Sequence, residues 1–258
     1  MIPTITKKLL LLPFLSASFI LFSQTGPGGV GKTDGSSDLK VWLQADDINA
    51  NNDFNDNPSH NSQITTWSDL SGNSNNYSNS GNNRPTFQVS GSFNFVQFDA
   101  SQTTSQFLNG SSGSYSDASA YFVMEPVNSG KSSTLFDGNT YSLRVEQYNN
   151  TDKVGYTRYG VSDYSSSISS PYGIRSIFSF HKPGSSSTVS IRVNNNENSV
   201  NIGSSSAGFP YDRIGKNSST ADEASGDFFE VILFNSEIST VQKIIIDNYL
   251  SSKYENIS

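Results

Sequence analysis

The 258-residue sequence has no cysteine, two histidines, two methionines and two tryptophans, and only 15% of its residues are charged. Without cysteine there is no disulfide, no thiolate catalysis and no lipid-modified cysteine of the lipoprotein kind. Two histidines are too few for a three-histidine zinc site. Basic residues are also scarce, 16 against 23 acidic, which argues against nucleic acid or an anionic membrane surface as partner. Past the first two dozen residues no run is apolar enough for a membrane span. What is abundant is aromatic: 12% of residues are Phe, Trp or Tyr. That is too many for a disordered chain, so the many serines and asparagines read as the loops of an ordered domain.

Lys7 and Lys8 precede an apolar run from Leu9 to Phe22, and polar sequence follows. That order is that of a secretory signal peptide, and the run is too short to span a bilayer comfortably. Residues 1–23 are therefore expected to be an export signal cut near Ser23 and Gln24, residues 24–38 a flexible N-terminal segment, and residues 39–258 one domain. Removing residues 1–23 takes away two lysines and no acid, leaving 14 basic and 23 acidic residues. The product is expected to be secreted or at the cell surface.

From Leu39 onward the hydrophobic pattern has period two. Tyr141–Glu146 and Val189–Asn194 alternate strictly, which predicts half-buried strands with polar side chains in water. Ala120–Met124 and Phe228–Phe234 are apolar on both faces, which suits strands covered on both sides. Further strands are predicted at 39–43, 64–67, 86–89, 93–98, 154–159 and 177–180. Segments 49–62, 72–83 and 160–172 read as long polar loops, the usual seat of function on such scaffolds. Ser239-Thr240-Val241-Gln242 has the spacing of a capping box. It predicts a terminal helix whose apolar stripe, through Ile244, Ile245, Tyr249 and Leu250, packs on the strands. Many short strands and one late helix predict an all-β sandwich or jelly roll.

Several segments occur in a recognisable order: Gly26-Pro27-Gly28-Gly29-Val30-Gly31, Leu39–Asp46, Thr66–Asn73, Arg84-Pro85-Thr86 with Val96–Asp99, Gly226–Asn235, and the helix ending at Tyr254. Together they resemble the concanavalin A-like, laminin-G-like jelly-roll domains of secreted and cell-surface bacterial proteins. Ala100 stands where that family usually has glycine, and Gln242 where an acid is commoner. The resemblance implies a two-sheet antiparallel β-sandwich with a C-terminal α-helix. It also implies a non-catalytic recognition or adhesion role whose partner is a polysaccharide or a cell-surface glycan or protein. A secreted glycoside hydrolase or polysaccharide lyase of the same fold, or a spacer in a larger surface protein, remains the alternative.

Catalytic groups are hard to assemble. Retaining glycosidases need two carboxyls about 5 to 5.5 Å apart, and the Glu-x-Asp-x-x-Glu strand of glucanases with this fold is missing. Asp227 and Glu230, three apart, are expected on opposite faces of a regular strand. His60, in a polar loop, and His181, at a strand end, lack the Gln-x-His setting of lyases with this fold, and there is no Gly-x-Ser-x-Gly elbow. Two binding chemistries fit better. Tyr156, Tyr159, Tyr164 and Tyr172 offer flat rings with polar tips for a glycan. Asp46, Asp47 and Asp69, near Asp53, Asp56 and several asparagines, offer the hard oxygens that calcium prefers, although no cofactor is required. Trp42 and Trp67 fall inside strand motifs and are expected in the core.

Overall fold

The computed structural model describes residues 25–99, 106–128, 130, 133–148, 152–215, 224–255 and 257; the expected signal, 1–23, lies outside them. Among the described residues eighteen strands precede one α-helix. In chain order they are β1 (Leu39–Gln44), β2 (Thr66–Trp67), β3 (Tyr77–Ser78), β4 (Thr86–Ser90), β5 (Phe93–Phe98), β6 (Leu108–Asn109), β7 (Ser114–Tyr115), β8 (Ala118–Pro126) and β9 (Thr134–Asp137). Then come β10 (Tyr141–Arg144), β11 (Lys153–Arg158), β12 (Ser162–Ser169), β13 (Ser176–Lys182), β14 (Thr188–Val193), β15 (Asn196–Asn201), β16 (Phe209–Pro210), β17 (Arg213–Ile214), β18 (Gly226–Phe234) and the helix α1 (Thr240–Lys253).

The first sheet runs β15-β14-β13-β8-β18-β5-β4, with β1 also on β18. β5 takes the first half of one edge of β18 and β1 the second half. The second sheet runs β12-β11-β10-β9-β17-β6-β3-β2. Every pairing is antiparallel, and the two sheets form a sandwich. Between them lies the larger apolar cluster, including Trp67, Phe98, Phe122, Phe136, Tyr156 and Phe180. A second cluster lies on the far side of the first sheet, where Leu39, Tyr121, Val123, Phe229, Ile232 and Phe234 meet Ile246, Leu250 and Tyr254 from α1 and its cap. This explains why β8 and β18 are apolar on both faces.

The helix begins as the capping box predicts: Ser239 N–H donates to Gln242 Oε1 at 2.9 Å, and Gln242 N–H donates to Ser239 Oγ at 3.4 Å. Its packed stripe differs from the prediction. Ile246, Tyr249 and Leu250 face the sheet, while Ile244 and Ile245 are exposed. The segment expected to be flexible is packed where it is described: Pro27 and Val30 are buried, and a 3₁₀ turn over Pro27–Gly29 lies against α1. Gly28 has φ +62°, and a Cβ there would sit 2.9 Å from Tyr249 Cβ, so both the conformation and the close approach require glycine.

The Thr66–Asn73 motif also has a structural task. Among the described residues β1 pairs with β18 alone, and this loop satisfies its other side. Asp69 Oδ1 accepts from Trp42 N–H at 2.9 Å, Ser71 Oγ donates to Lys40 O at 3.0 Å, and Asn73 Nδ2 donates to Leu39 O at 2.8 Å. An open strand edge is thereby closed by side chains.

Candidate functional site

Side chains on cross-strand partners share a face of a sheet. Across the second sheet one such row runs Asp163–Thr157–Ser142–Asp137–Arg213–Asn109–Ser78–Thr66, pair by pair through all eight strands. Every member is polar. The adjacent positions Tyr164, Tyr156, Leu143, Phe136, Ile214, Leu108, Tyr77 and Trp67 join or pack on the apolar cluster between the sheets, so the polar row looks away from the core.

The middle of this row is a linked charged network. Tyr159 OH donates to Asp137 Oδ1 at 2.6 Å, and Arg144 Nη2 donates to Tyr159 OH at 3.0 Å. Arg213 Nη1 lies 3.6 Å from Asp137 Oδ2, and its Nε donates to Asn109 Oδ1 at 3.0 Å. At the other end Thr157 Oγ1 is 2.7 Å from Asp163 Oδ1 and 2.8 Å from Gln147 Oε1. Burial raises the Tyr159 phenol well above its ordinary value, an effect the Arg144 guanidinium opposes, so it stays a neutral donor. Tyr172 is likewise raised, by burial first and then by Glu146, to which its hydroxyl is bonded.

Asp137, Ser142, Arg144 and Glu146 are each no more than 1% exposed. The expectation that the polar residues of Tyr141–Glu146 lie in water is therefore corrected: they alternate as predicted but are buried on the far face, where hydrogen bonds and ion pairs replace solvent. Buried charge away from the apolar core is costly to maintain, and such clusters mark candidate functional sites. The row opens to solvent at Asn109 and Ser78, both exposed.

The four candidate tyrosines separate. Tyr159 and Tyr172 belong to this polar face. Tyr156 is buried between the sheets with its OH donating to Gly208 O at 2.6 Å, and Tyr164 is its cross-strand partner, packed on the same core. Segment 160–172 is not the long loop expected, since β12 occupies most of it. Its serines hide the alternation, yet Ser166 Oγ donates to Val154 O at 2.8 Å and Ile168 reaches the core. Asp137, Arg144 and Arg213 were not singled out by sequence. The available signal was the Arg144–Glu146 spacing on an alternating strand.

The three candidate calcium ligands do not gather at one point. Asp47 accepts from the backbone N–H of Asn51 and Asn52, Asp69 from those of Trp42, Ser71 and Asn75, and Asp46 lies 3.4 Å from Lys253 Nζ. Among the described residues no cluster of three His, Cys, Asp or Glu is arranged to hold a metal. His60 Nδ1 accepts from Val89 N–H at 3.0 Å. Trp67 is fully buried, and Trp42 is half-buried against the outer cluster.

The expectation for Asp227 and Glu230 is corrected by a bulge in β18. The register against β8 passes from Phe228↔Met124 to Glu230↔Val123, leaving Phe229 as an extra residue. The shift places Asp227 and Glu230 on the same outward face. Glu230 is nonetheless occupied: it accepts from Trp42 Nε1 at 2.7 Å, Tyr249 OH at 2.9 Å, Tyr254 OH at 2.8 Å and Lys253 Nζ at 2.9 Å.

No family model and no curated protein matches this sequence. Solved structures do share the fold. Domain 4 of AbnA, a GH43 extracellular arabinanase from Geobacillus stearothermophilus, solved with arabinotriose, aligns with TM-score 0.55 and 12% identity over 81% of this chain and 97% of that domain. The binding domain of Paraclostridial Mosquitocidal Protein 1 aligns with TM-score 0.54 and 9% identity over 84% of this chain and 52% of its own. Trypanosoma rangeli sialidase with sialic acid aligns with TM-score 0.50 and 11% identity over 90% of this chain and 36% of the sialidase. At these identities the likeness establishes the sandwich fold. Among the described residues no helix is long and apolar enough to cross a membrane.

Proposed function

We propose that this chain is a secreted, non-catalytic recognition module of the concanavalin A-like type that binds glycan along the outward polar face of its second sheet. The observation that carries the reading is the unbroken polar row from Asp163 to Thr66. Glycan hydroxyls both donate and accept, and the accessible members of the row, Asp163 at one end and Arg213, Asn109, Ser78 and Thr66 at the other, supply both, with the buried Asp137 bracing Arg213. Domain 4 of AbnA, solved with arabinotriose, and the mosquitocidal binding domain lend support as proteins of this fold with a described ligand or binding role.

The test is a glycan array followed by calorimetry on arabinan and the other polysaccharides that bind. Asn109→Ala, at an exposed position, and Arg213→Gln are expected to weaken binding at least about tenfold with the melting temperature of Asn109→Ala unchanged. Folded protein that binds no polysaccharide, or binding that survives both substitutions, overturns the reading. In this reading no calcium is needed, so a chelator leaves affinity unchanged. The alternative of a carbohydrate-active enzyme rests on two buried carboxyls, Asp137 and Glu146, on this same face. Release of reducing ends or unsaturated sugars, abolished by Asp137→Asn, would establish it instead.

A further inference from the structure

A separate groove lies on the opposite side of the sandwich, between α1 and the outward face of β13, β14 and β15. It has a volume of about 270 Å³ and is lined by His181, Arg192, Glu197, Thr240, Lys243, Ile244 and Asp247. Thr240, Lys243, Ile244 and Asp247 have the spacing of one helix face. Arg192 and Glu197 are cross-strand partners on β14 and β15 and share a sheet face.

His181 lines the groove, and it and its neighbour Tyr121 each carry a buried polar atom without a hydrogen-bond partner. His181 is 5% exposed and its Nδ1 is unpartnered, as is the hydroxyl of the fully buried Tyr121, whose ring meets the imidazole edge-on at 5.2 Å. Burial, then Lys243 and Arg192, hold the His181 pKa well below its ordinary value, so the ring is neutral at pH 7 and has both a donor and an acceptor nitrogen. Unsatisfied buried groups of this kind call for a partner.

The remaining groups define the ligand's chemistry. Arg192 is paired with Asp247, and Lys243 Nζ lies 2.8 Å from Glu237 Oε1. Glu197 accepts from Ser190 Oγ at 2.5 Å through one oxygen. With His181 neutral, the two cations and two carboxylates lining the groove cancel. An anion would face Glu197 and Asp247, and an amine would face Arg192 and Lys243. A neutral ring bearing several hydroxyls can donate to the carboxylates and accept from the cations, with its C–H face against Ile244. Pockets for drug-sized ligands run from about 300 Å³ upward, so this one suits a single ring.

We infer that the groove under α1 is a second binding site, for one neutral sugar unit held by His181, Glu197 and Lys243. It is independent of the polar face of the second sheet, so either site can fail alone. The chain's two histidines give a direct reading. The imidazole resonances, assigned with His60→Gln, are followed at pH 7 while methyl glycosides of neutral hexoses and pentoses are titrated. The His181 signals are expected to move saturably with at least one glycoside while those of His60 stay still. Glu197→Ala and Lys243→Ala should each weaken that response at least about tenfold, and Asn109→Ala should not change it. The inference is overturned if no glycoside moves the His181 signals, if the response survives both groove substitutions, or if only glucuronate or inorganic phosphate moves them.

Discussion

Asp227 and Glu230 stand on one face of one strand, yet their surroundings differ. Glu230 is met by four donors from β1, α1 and the cap of α1. Asp227 has one, Gln97 Nε2 at 3.0 Å. Burial pushes the Asp227 pKa up to about 6; the Gln97 bond opposes this and the nearby Glu125 carboxylate adds to it. A carboxyl raised on folding favours the folded state in its protonated form. Its contribution is complete below about pH 4 and is lost as pH rises through 6. Asp227→Asn, which retains an acceptor for Gln97, is therefore expected to be more stable than the parent at pH 8 and no more stable at pH 3.5. Urea unfolding of both proteins at the two pH values checks this, and an equal difference at both would refute the assignment. None of this was legible in the sequence, because a three-residue spacing on a regular strand gives the wrong face, and the bulge at Phe229 depends on the register with β8.

At the scale of elements, the strands with apolar alternation were legible almost to the residue: 93–98 was predicted and β5 is Phe93–Phe98. β12 was not, because serine suits a turn and an edge strand equally well. α1 was located by its cap, but only half of its apolar stripe was legible: Tyr249 and Leu250 pack as expected, while Ile246 takes the place expected for Ile244 and Ile245. Isoleucines at 244, 245 and 246 offer three possible faces, and the sequence does not say which one the sheet takes. In the structure Glu230 bonds to Tyr249, Lys253 and Tyr254, on the side of α1 where Ile246 and Leu250 are buried. Removing one partner of a buried ion pair typically costs about 3–5 kcal/mol. Lys253 is partly exposed, so the cost of Glu230→Ala is expected at or below the lower end, about 3 kcal/mol. It should come with a changed Trp42 emission spectrum, since the indole N–H loses its acceptor. Unaltered stability in urea would mean that the helix is held by its apolar residues alone.

For the whole molecule, the family-like segments bracket the chain and predict a sandwich, but they say little about its middle, where the polar face lies. Asp137, Arg144, Tyr159 and Arg213 come from four separate segments, and only the order β11-β10-β9-β17 brings them together. Pattern reading places side chains on faces; it does not reveal which strands will be neighbours. The two apolar clusters make the first sheet the middle of three layers, with the second sheet on one side and α1 on the other. With no disulfide available, the outer layer is held by the apolar cluster around Phe229, Ile232 and Phe234 and by the Glu230 bonds. A chain ending at Ile238 would keep the larger cluster between the sheets. It would expose Leu39, Tyr121, Val123, Ile177 and Phe234 together, an apolar patch of the kind that drives association. The truncated protein is expected to retain a β-type circular dichroism spectrum, bind a hydrophobic dye strongly and self-associate with increasing concentration. A truncated chain that remains monomeric and dark to the dye would show that the first sheet needs no cover, and that α1 is an appendage rather than the third layer.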